Sequence, residues 1–392
     1  MAGGGEVAVS GAGTHQLSLE PLDREASDTL IADTLGASVA DVAPLADQLW
    51  LRARGNPYFI EQMLLSLEAD GGLKHDTTTG SWVWDLPQIR RLGLTDQVGD
   101  LLARKLARLP AESRHLVGVG ACLGASCDLW TLTRASGLGV DDIWAALWPA
   151  LAGELLVAVD DAWRKAGLGP AGGALTPEQA AGIRVRFAHD RVQEAAYADQ
   201  TAPERAAVHL LVARLLAASE DAEQQVFDAA NHFNLGAAFI TSDAERVVAA
   251  GLNLRACTMA LQSSAFGKAL EFAQHGTEHL GDAAWTQQRE MTLQLTQKRA
   301  DAAQLNGRYD EAMALIDTAF THATTPPERA ELFNLRMQIF GRIGDSLSGI
   351  ATGIEALSEL FGFQAPTSPE GWMGVMGAEM QGLQAALGSR DP

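Results

Sequence analysis

Arg186-Phe187-Ala188-His189-Asp190-Arg191-Val192-Gln193-Glu194-Ala195-Ala196-Tyr197 is the stretch on which the fold turns: the chain before it reads as a mixed α/β module, and the chain after it as helix. Val192, Ala195 and Ala196 follow an i, i+3, i+4 apolar pattern, and Asp190 with Gln193 three positions on forms a capping-box arrangement. A helix is therefore predicted to start there, with His189 just outside its N-terminus. That end carries unpaired backbone N–H groups and roughly half a positive charge, which suits an anion, and an imidazole beside it can report on a phosphate. The plainer reading of the same residues is a cap and a packed histidine.

Immediately upstream, residues 154–159 and 184–187 read as two strands separated by a long loop holding Gly167, Gly169, Pro170, Gly172 and Gly173. Four helices precede them, over 96–109, 110–120, 129–136 and 141–151, with Thr95 capping the first and Gly137 closing the third. A helical cluster followed by a β-wing predicts a winged helix over 95–199, an architecture often used on DNA. The wing offers only Arg184 and Arg186, too little positive charge for a phosphate backbone.

Toward the N-terminus, 72–75 and Trp82-Val83-Trp84 flank a Thr-rich turn and predict a hairpin with both tryptophans on one face, packed on the helix before it. That helix is the third of three. The first is expected over 23–35, the second over 42–54, and the third starts with Asn56 as its cap and Pro57 as its first residue. Residues 15–19 alternate like a strand, and 1–14 form a Gly/Ala-rich tail expected to be disordered.

Downstream of Tyr197 two motifs recur, Ser264-Ala265-Phe266-Gly267-Lys268-Ala269 and Asn306-Gly307-Arg308-Tyr309-Asp310-Glu311-Ala312. Each places an aromatic three residues before an alanine that opens the second helix of a pair. Phe266 and Tyr309 are 43 positions apart, and a degraded third copy at Gly344-Asp345-Ser346-Leu347-Ser348-Gly349-Ile350 lies 38 further on. A period of about 40 residues with small residues at the crossings indicates an α-solenoid of tetratricopeptide type over 200–362, followed by a helical segment over 363–392. Such stacks present a groove to a protein, so a protein partner is expected there, with self-association an open alternative; a helical bundle without a binding role is the competing reading.

The 392 residues suffice for about two or three domains, and a hydrophobic share of 47% is that of a folded chain. A formal charge of −20 argues against nucleic acid and anionic membrane surfaces as partners. No window reaches the ~18 uninterrupted apolar residues of a membrane helix. Cys122, Cys127 and Cys257 are an odd number without zinc-site spacing, which fits reduced, buried thiols and a cytoplasmic location, and the N-terminus lacks the features of a secretory leader. There is no G-x-x-x-x-G-K-[ST], H-E-x-x-H, G-x-S-x-G or S-x-x-K, so no catalytic residue, metal site or cofactor is assigned within this chain. His189-Asp190-Arg191 has the letters of a kinase catalytic loop in the wrong order and is not one.

Taken together, Gly55-Asn56-Pro57-Tyr58-Phe59, Gly80-Ser81-Trp82-Val83-Trp84-Asp85, Gly120-Ala121-Cys122-Leu123-Gly124, the stretch 187–197 and His232-Phe233-Asn234 occur in an order that resembles the large bacterial predicted ATPases of the STAND class. Those modules sit inside multidomain serine/threonine kinases, hybrid histidine kinases and adenylate cyclases. The resemblance covers residues 15–361. It implies that Gly55, Asn56 and Pro57 match a lid turn touching the adenine side of ATP or ADP, bound with Mg in an intact parent. It implies equally that Ala188, His189 and Asp190 match a Met-His-Asp sensor of the β-phosphate, with Ala188 in place of the methionine. The family's P-loop, Walker B carboxylates and sensor strand should precede His15. The expectation is a mainly α chain: a remnant of the ATPase module with helical lid over 15–94, a winged helix with β-hairpin wing, then the solenoid. Its role would be regulatory and non-catalytic, gating a P-loop domain. The alternatives are a stand-alone interaction scaffold and, disfavoured by charge, a winged-helix transcriptional regulator.

Overall fold

Three helices open the chain in the computed structural model, which describes residues 20–87, 89, 98–219 and 223–387. They are α1 (Arg24–Leu35), α2 (Val39–Ala53) and α3 (Pro57–Ala69). Each follows a side chain that accepts a first-turn N–H: Asp23 from Ala26, Ser38 from Asp41, Asn56 from Phe59. Because Ser38 supplies its cap, α2 begins at Val39, three residues before the predicted start. Asn56 and Pro57 start α3 as their chemistry predicts.

The link between α2 and α3 is set by Gly55, which has φ +78° and whose carbonyl oxygen accepts from Leu22 N–H at 2.8 Å. A Cβ at Gly55 would overlap the Leu22 carbonyl oxygen, so this turn excludes every side chain as well as favouring a left-handed residue. α1 to α3 enclose a core of Ile31, Leu45, Leu49, Ile60, Met63 and Leu67. The hairpin β1 (Leu73–Asp76) and β2 (Ser81–Trp84) pairs antiparallel with Leu73 opposite Trp84, and Trp82 and Trp84 both pack on that core, as the alternation predicts. The strand expected over 15–19, the tail over 1–14 and the cap at Thr95 lie outside the described residues.

Next come α4 (Val98–Ala107), α5 (Ala111–Leu123), β3 (Ser126–Asp128), α6 (Leu129–Ser136) and α7 (Ile143–Ala152). They are followed by β4 (Leu156–Ala158), α8 (Ala162–Lys165), α9 (Pro177–Gly182), β5 (Arg184–Phe187) and α10 (Asp190–Asp199). Two features differ from expectation. The sheet has three strands in the order β3-β5-β4, all antiparallel, with β5 central. The long loop also contains two short helices, α9 being started by a full capping box between Thr176 and Gln179. Along β5, Val185 and Phe187 are buried whereas Arg184 and Arg186 face outward. Cys122 and Cys127 are buried thiols in no disulfide, and burial pushes the Cys127 thiol up to about 12.

The chain divides into two compact units, Met1–Thr201 and Ala202–Pro392. Among its described residues the second is helical, with α11 (Ala202–Ala217), α12 (Val226–Leu235), α13 (Asp243–Gln262), α14 (Phe266–Leu280), α15 (Ala284–Gln287), α16 (Arg289–Leu305), α17 (Tyr309–His322), α18 (Pro326–Ile343), α19 (Ser346–Phe361) and α20 (Pro369–Leu387). Sequential helices stack on one another, α13 on α14, α14 on α16, α16 on α17 and α18 on α19. The repeat motifs open α14 and α17 at Phe266 and Tyr309, and their alanines, Ala269 and Ala312, are fully buried at the crossings. In the third copy Leu347 and Ile350 remain 82% and 61% exposed, which is the structural meaning of its degradation.

Two groups of polar side chains lie within this helical unit. His209 Nδ1 and His232 Nδ1 are 2.9 Å apart, Asn234 and Asn253 exchange amide hydrogen bonds of 3.0 and 2.8 Å, and His279 Nε2 meets Asn234 Oδ1 at 2.9 Å. Burial, helped by neighbouring cations, holds His209 and His279 down at about 4, and burial lowers His232 as well. Two Nδ1 atoms in contact need one ring as donor and the other as acceptor, so a second proton at the pair breaks the bond.

Among the described residues no single helix is long and apolar enough to cross a membrane; the α1–α2 pair passes by length and composition but is bent by 114°.

Two outcomes test this account. Gly55→Ala is expected to destabilise the first unit by about 3 kcal/mol or more, whereas Gly36→Ala, at φ +58° with open space around it, is expected to lose only about 1–2 kcal/mol. Urea titrations compare the two, and equal losses would show that backbone conformation alone matters at Gly55. For the histidines, a folded-state value depressed below 6.5 means that the unfolded chain takes up protons first. Stability should then be complete above about 6.5 and fall as pH drops toward 4, with a shallower slope in His279→Asn; parallel thermal-melt slopes for the two proteins would contradict the neutral, buried assignment.

Candidate functional site

β5 runs out of the sheet through Ala188, whose N–H donates to Leu155 O at 3.1 Å, and the chain then turns into α10. His189 itself is the cap of that helix. Its backbone is extended, φ −151° and ψ 152°, and its Nδ1 accepts from Arg191 N–H at 3.1 Å. The capping box expected between Asp190 and Gln193 does not form, because the strand's extended geometry persists through His189 and makes Asp190 the first helical residue. Asp190 Oδ1 accepts from the same Arg191 N–H at 2.7 Å, and Gln193 instead donates across to Ala121 O at 3.2 Å. Arg114 on α5 grips Asp199 through two hydrogen bonds of 2.5 and 2.6 Å, fixing the far end of α10.

The two sequence motifs meet in space. Directly after Gly55-Asn56-Pro57, the Tyr58 ring stacks on the His189 imidazole with centroids 5.0 Å apart and planes at 9°. Phe59 meets the same imidazole at 5.8 Å and 52°. Within the turn, the Gly55 carbonyl is taken by Leu22, Asn56 Oδ1 by Phe59 N–H, and Pro57 has no N–H. The three turn residues therefore build structure and carry Tyr58 to the histidine.

The electrostatics at His189 are specific. With Nδ1 accepting, the neutral ring carries its proton on Nε2, which has no hydrogen-bond partner among the described residues. The Asp190 carboxylate also lies against Nδ1, so a second proton on the ring would turn Nδ1 into a donor toward Asp190 and dissolve the bond from Arg191. Asp190 is 73% exposed, and Arg191 is engaged with Glu194 at 2.8 Å. What this arrangement offers an anion is a single ring N–H beside a carboxylate, which is not a phosphate cradle. ADP or ATP does not fit these residues alone; His189 could contribute only one contact to a nucleotide held by other groups.

Beside this junction lies an open cleft of ≈ 550 Å³ that the sequence reading missed. Tyr58 and Ala188 line it, together with Trp144, Trp148 and Trp163. The spacing of Trp144 and Trp148 on one helix face is visible in the sequence, but their meeting with Trp163 and Tyr58 depends on tertiary structure. Burial, with the Glu61 and Glu154 carboxylates, pushes the Tyr58 phenol up to about 12. Its hydroxyl is buried and has no hydrogen-bond partner among the described residues.

Removing that unpartnered hydroxyl should therefore leave stability unchanged or slightly higher in Tyr58→Phe. By contrast, His189→Ala loses both cap and stack and should destabilise by about 1–2 kcal/mol. Denaturant melts of both variants decide it, and a clear loss in Tyr58→Phe would mean that the hydroxyl has a partner in solution.

Comparison with known proteins gives one distant similarity. The chain is 21% identical over 353 residues to hybrid signal transduction histidine kinase G of Dictyostelium discoideum, a match covering 79% of this chain and 10% of that protein. The chain thus spans about a tenth of the length of the curated relative it matches. No protein-family model and no solved structure matches it.

Proposed function

We propose that this chain is the non-catalytic regulatory part of a signal-transduction protein of STAND type, in which the Tyr58–His189 junction reads the nucleotide state of a P-loop domain and the helical repeats receive a protein signal. The observation that carries the proposal is the stacking of Tyr58 on His189 at 5.0 Å, which joins two distant motifs at one place. On this reading α4–α7 with the β3-β5-β4 sheet are a winged helix, the β4–β5 hairpin being its wing. A phosphate contact at Nε2 would bias α10 through the same imidazole whose Nδ1 caps it, giving two states of one helix start. The distant similarity to a histidine kinase supports a signalling context.

A second reading is favoured by the local bonds of His189. Cap and stack account for the residue without any ligand, as in a stand-alone scaffold whose solenoid binds a protein and to which nucleotide is irrelevant. The use of the wing on DNA is weakened by the charge of −20 and by a basic face limited to Arg184 and Arg186.

Calorimetry with ADP and ATP on this chain should show no binding at micromolar concentrations, and tight binding would overturn the assignment of the phosphate cradle to another domain. In a chain joined to a P-loop domain, His189→Ala should accelerate ADP release by about tenfold or more. Unchanged ADP retention would remove the sensor role and leave the scaffold.

A further inference from the structure

The cleft beside Tyr58 has a composition that the nucleotide reading does not use. Its wall is aromatic: Trp144 stacks on Trp163 with centroids 5.4 Å apart at 23°, and Trp148 lies 6.3 and 6.2 Å from the two. Trp144 is fully buried and holds the group in place, while Trp148 and Trp163 are half-buried and keep surface toward the opening. Tyr58 belongs to the same lining.

The charge is one-sided. Glu61 and Glu154 line the cleft and are exposed, and no lysine or arginine lines it among the described residues. Cations in the surroundings are committed elsewhere, among them Arg186, opposite the lining residue Val157 on the neighbouring strand, which donates to Phe187 O at 3.3 Å. Lys105, which feels both carboxylates, donates to Gln62 Oε1 at 2.5 Å, and Arg164 is paired with Asp161 at 2.8 Å while its guanidinium lies 4.9 Å from the centre of the Trp163 ring. That last contact shows a cation already resting on an indole of this group.

We propose that the cleft formed by Tyr58, Trp144, Trp148 and Trp163, with Glu61 and Glu154 at its edge, binds a quaternary ammonium group. Indole faces attract a cation through the ring quadrupole, most strongly when the cation is weakly hydrated. A primary ammonium would bring N–H groups that need acceptors, and both carboxylates of the cleft are exposed rather than buried against the ring wall. A trimethylammonium group has no such demand: its methyls pack on the rings and its charge is met by the two carboxylates across the opening. The proposal is independent of the nucleotide reading, because neither His189 nor a phosphate takes part.

The test is calorimetry on the full chain at low salt with choline, its neutral isostere 3,3-dimethylbutan-1-ol, and a peptide carrying trimethyllysine. Saturable binding of choline is expected, at least about tenfold tighter than that of the neutral alcohol. Glu61→Gln with Glu154→Gln should weaken choline by about tenfold with an unchanged thermal midpoint, since both side chains are exposed. Trp148→Leu should abolish binding. Tighter binding of the peptide than of choline would make a modified protein side chain the source of the cation, and the reverse would make it a free small molecule. Equal binding of the neutral alcohol, no saturation with either cation, or indifference to the double Gln substitution would each overturn the proposal. Failure here leaves the ADP-release experiment untouched.

Discussion

At Gly55 the chain passes so close to Leu22 that no side chain can be accommodated. That contact fixes the angle at which α3 leaves α2, and therefore where Tyr58 points. Two features of the first unit follow from it: the stack on His189 and the place of Tyr58 in the lining of the tryptophan cleft, which bring this turn close to a strand–helix junction more than a hundred positions away. Asn56 and Pro57 refine the same geometry, one by satisfying Phe59 N–H and the other by presetting the first helical dihedral. A motif that resembles a nucleotide contact is, bond by bond, a device for aiming an aromatic ring.

His189 is likewise defined by how its neighbours are held. β5 is the central strand and cannot slip without disturbing both partners, so its last residues enter α10 in a fixed register. The Arg114–Asp199 bridge and the Gln193 contact to Ala121 hold the body of that helix against α5. The imidazole is left with one nitrogen committed to structure and one with no hydrogen-bond partner among the described residues.

Much of this was legible in the sequence where the signals are local. The Asn-Pro helix start, the alternation around Trp82, Gly137 as a helix stop, and the aromatic-to-alanine spacing at Phe266 and Tyr309 each act over a few residues, and the structure has them as read. Other features depend on distant partners and left no local trace. β3 is only Ser126–Asp128, too short to alternate, and exists because β5 pairs with it. The capping box was misassigned because Asp190 and Gln193 have the right spacing, yet the preceding strand decides which residue is first in the helix. The tryptophan cleft, the His209–His232 pair and the Asn234–Asn253–His279 group each join side chains from several elements, and no periodicity in one segment encodes them.

The exposed third copy of the repeat gives the second unit a direction. Ala269 and Ala312 are sealed between helices, whereas Ile350, in their place, and Leu347, in the place of Phe266 and Tyr309, face solvent. In a stack where each layer is stabilised chiefly by its neighbours, a weakly buried layer opens more often than those it covers. Amide protons of α19 should therefore exchange with solvent sooner than those of α14 or α17, and opening should travel inward from α19 as a progressive unzipping. Such a chain can lend its α19 layer to another surface and leave α13 to α17 folded.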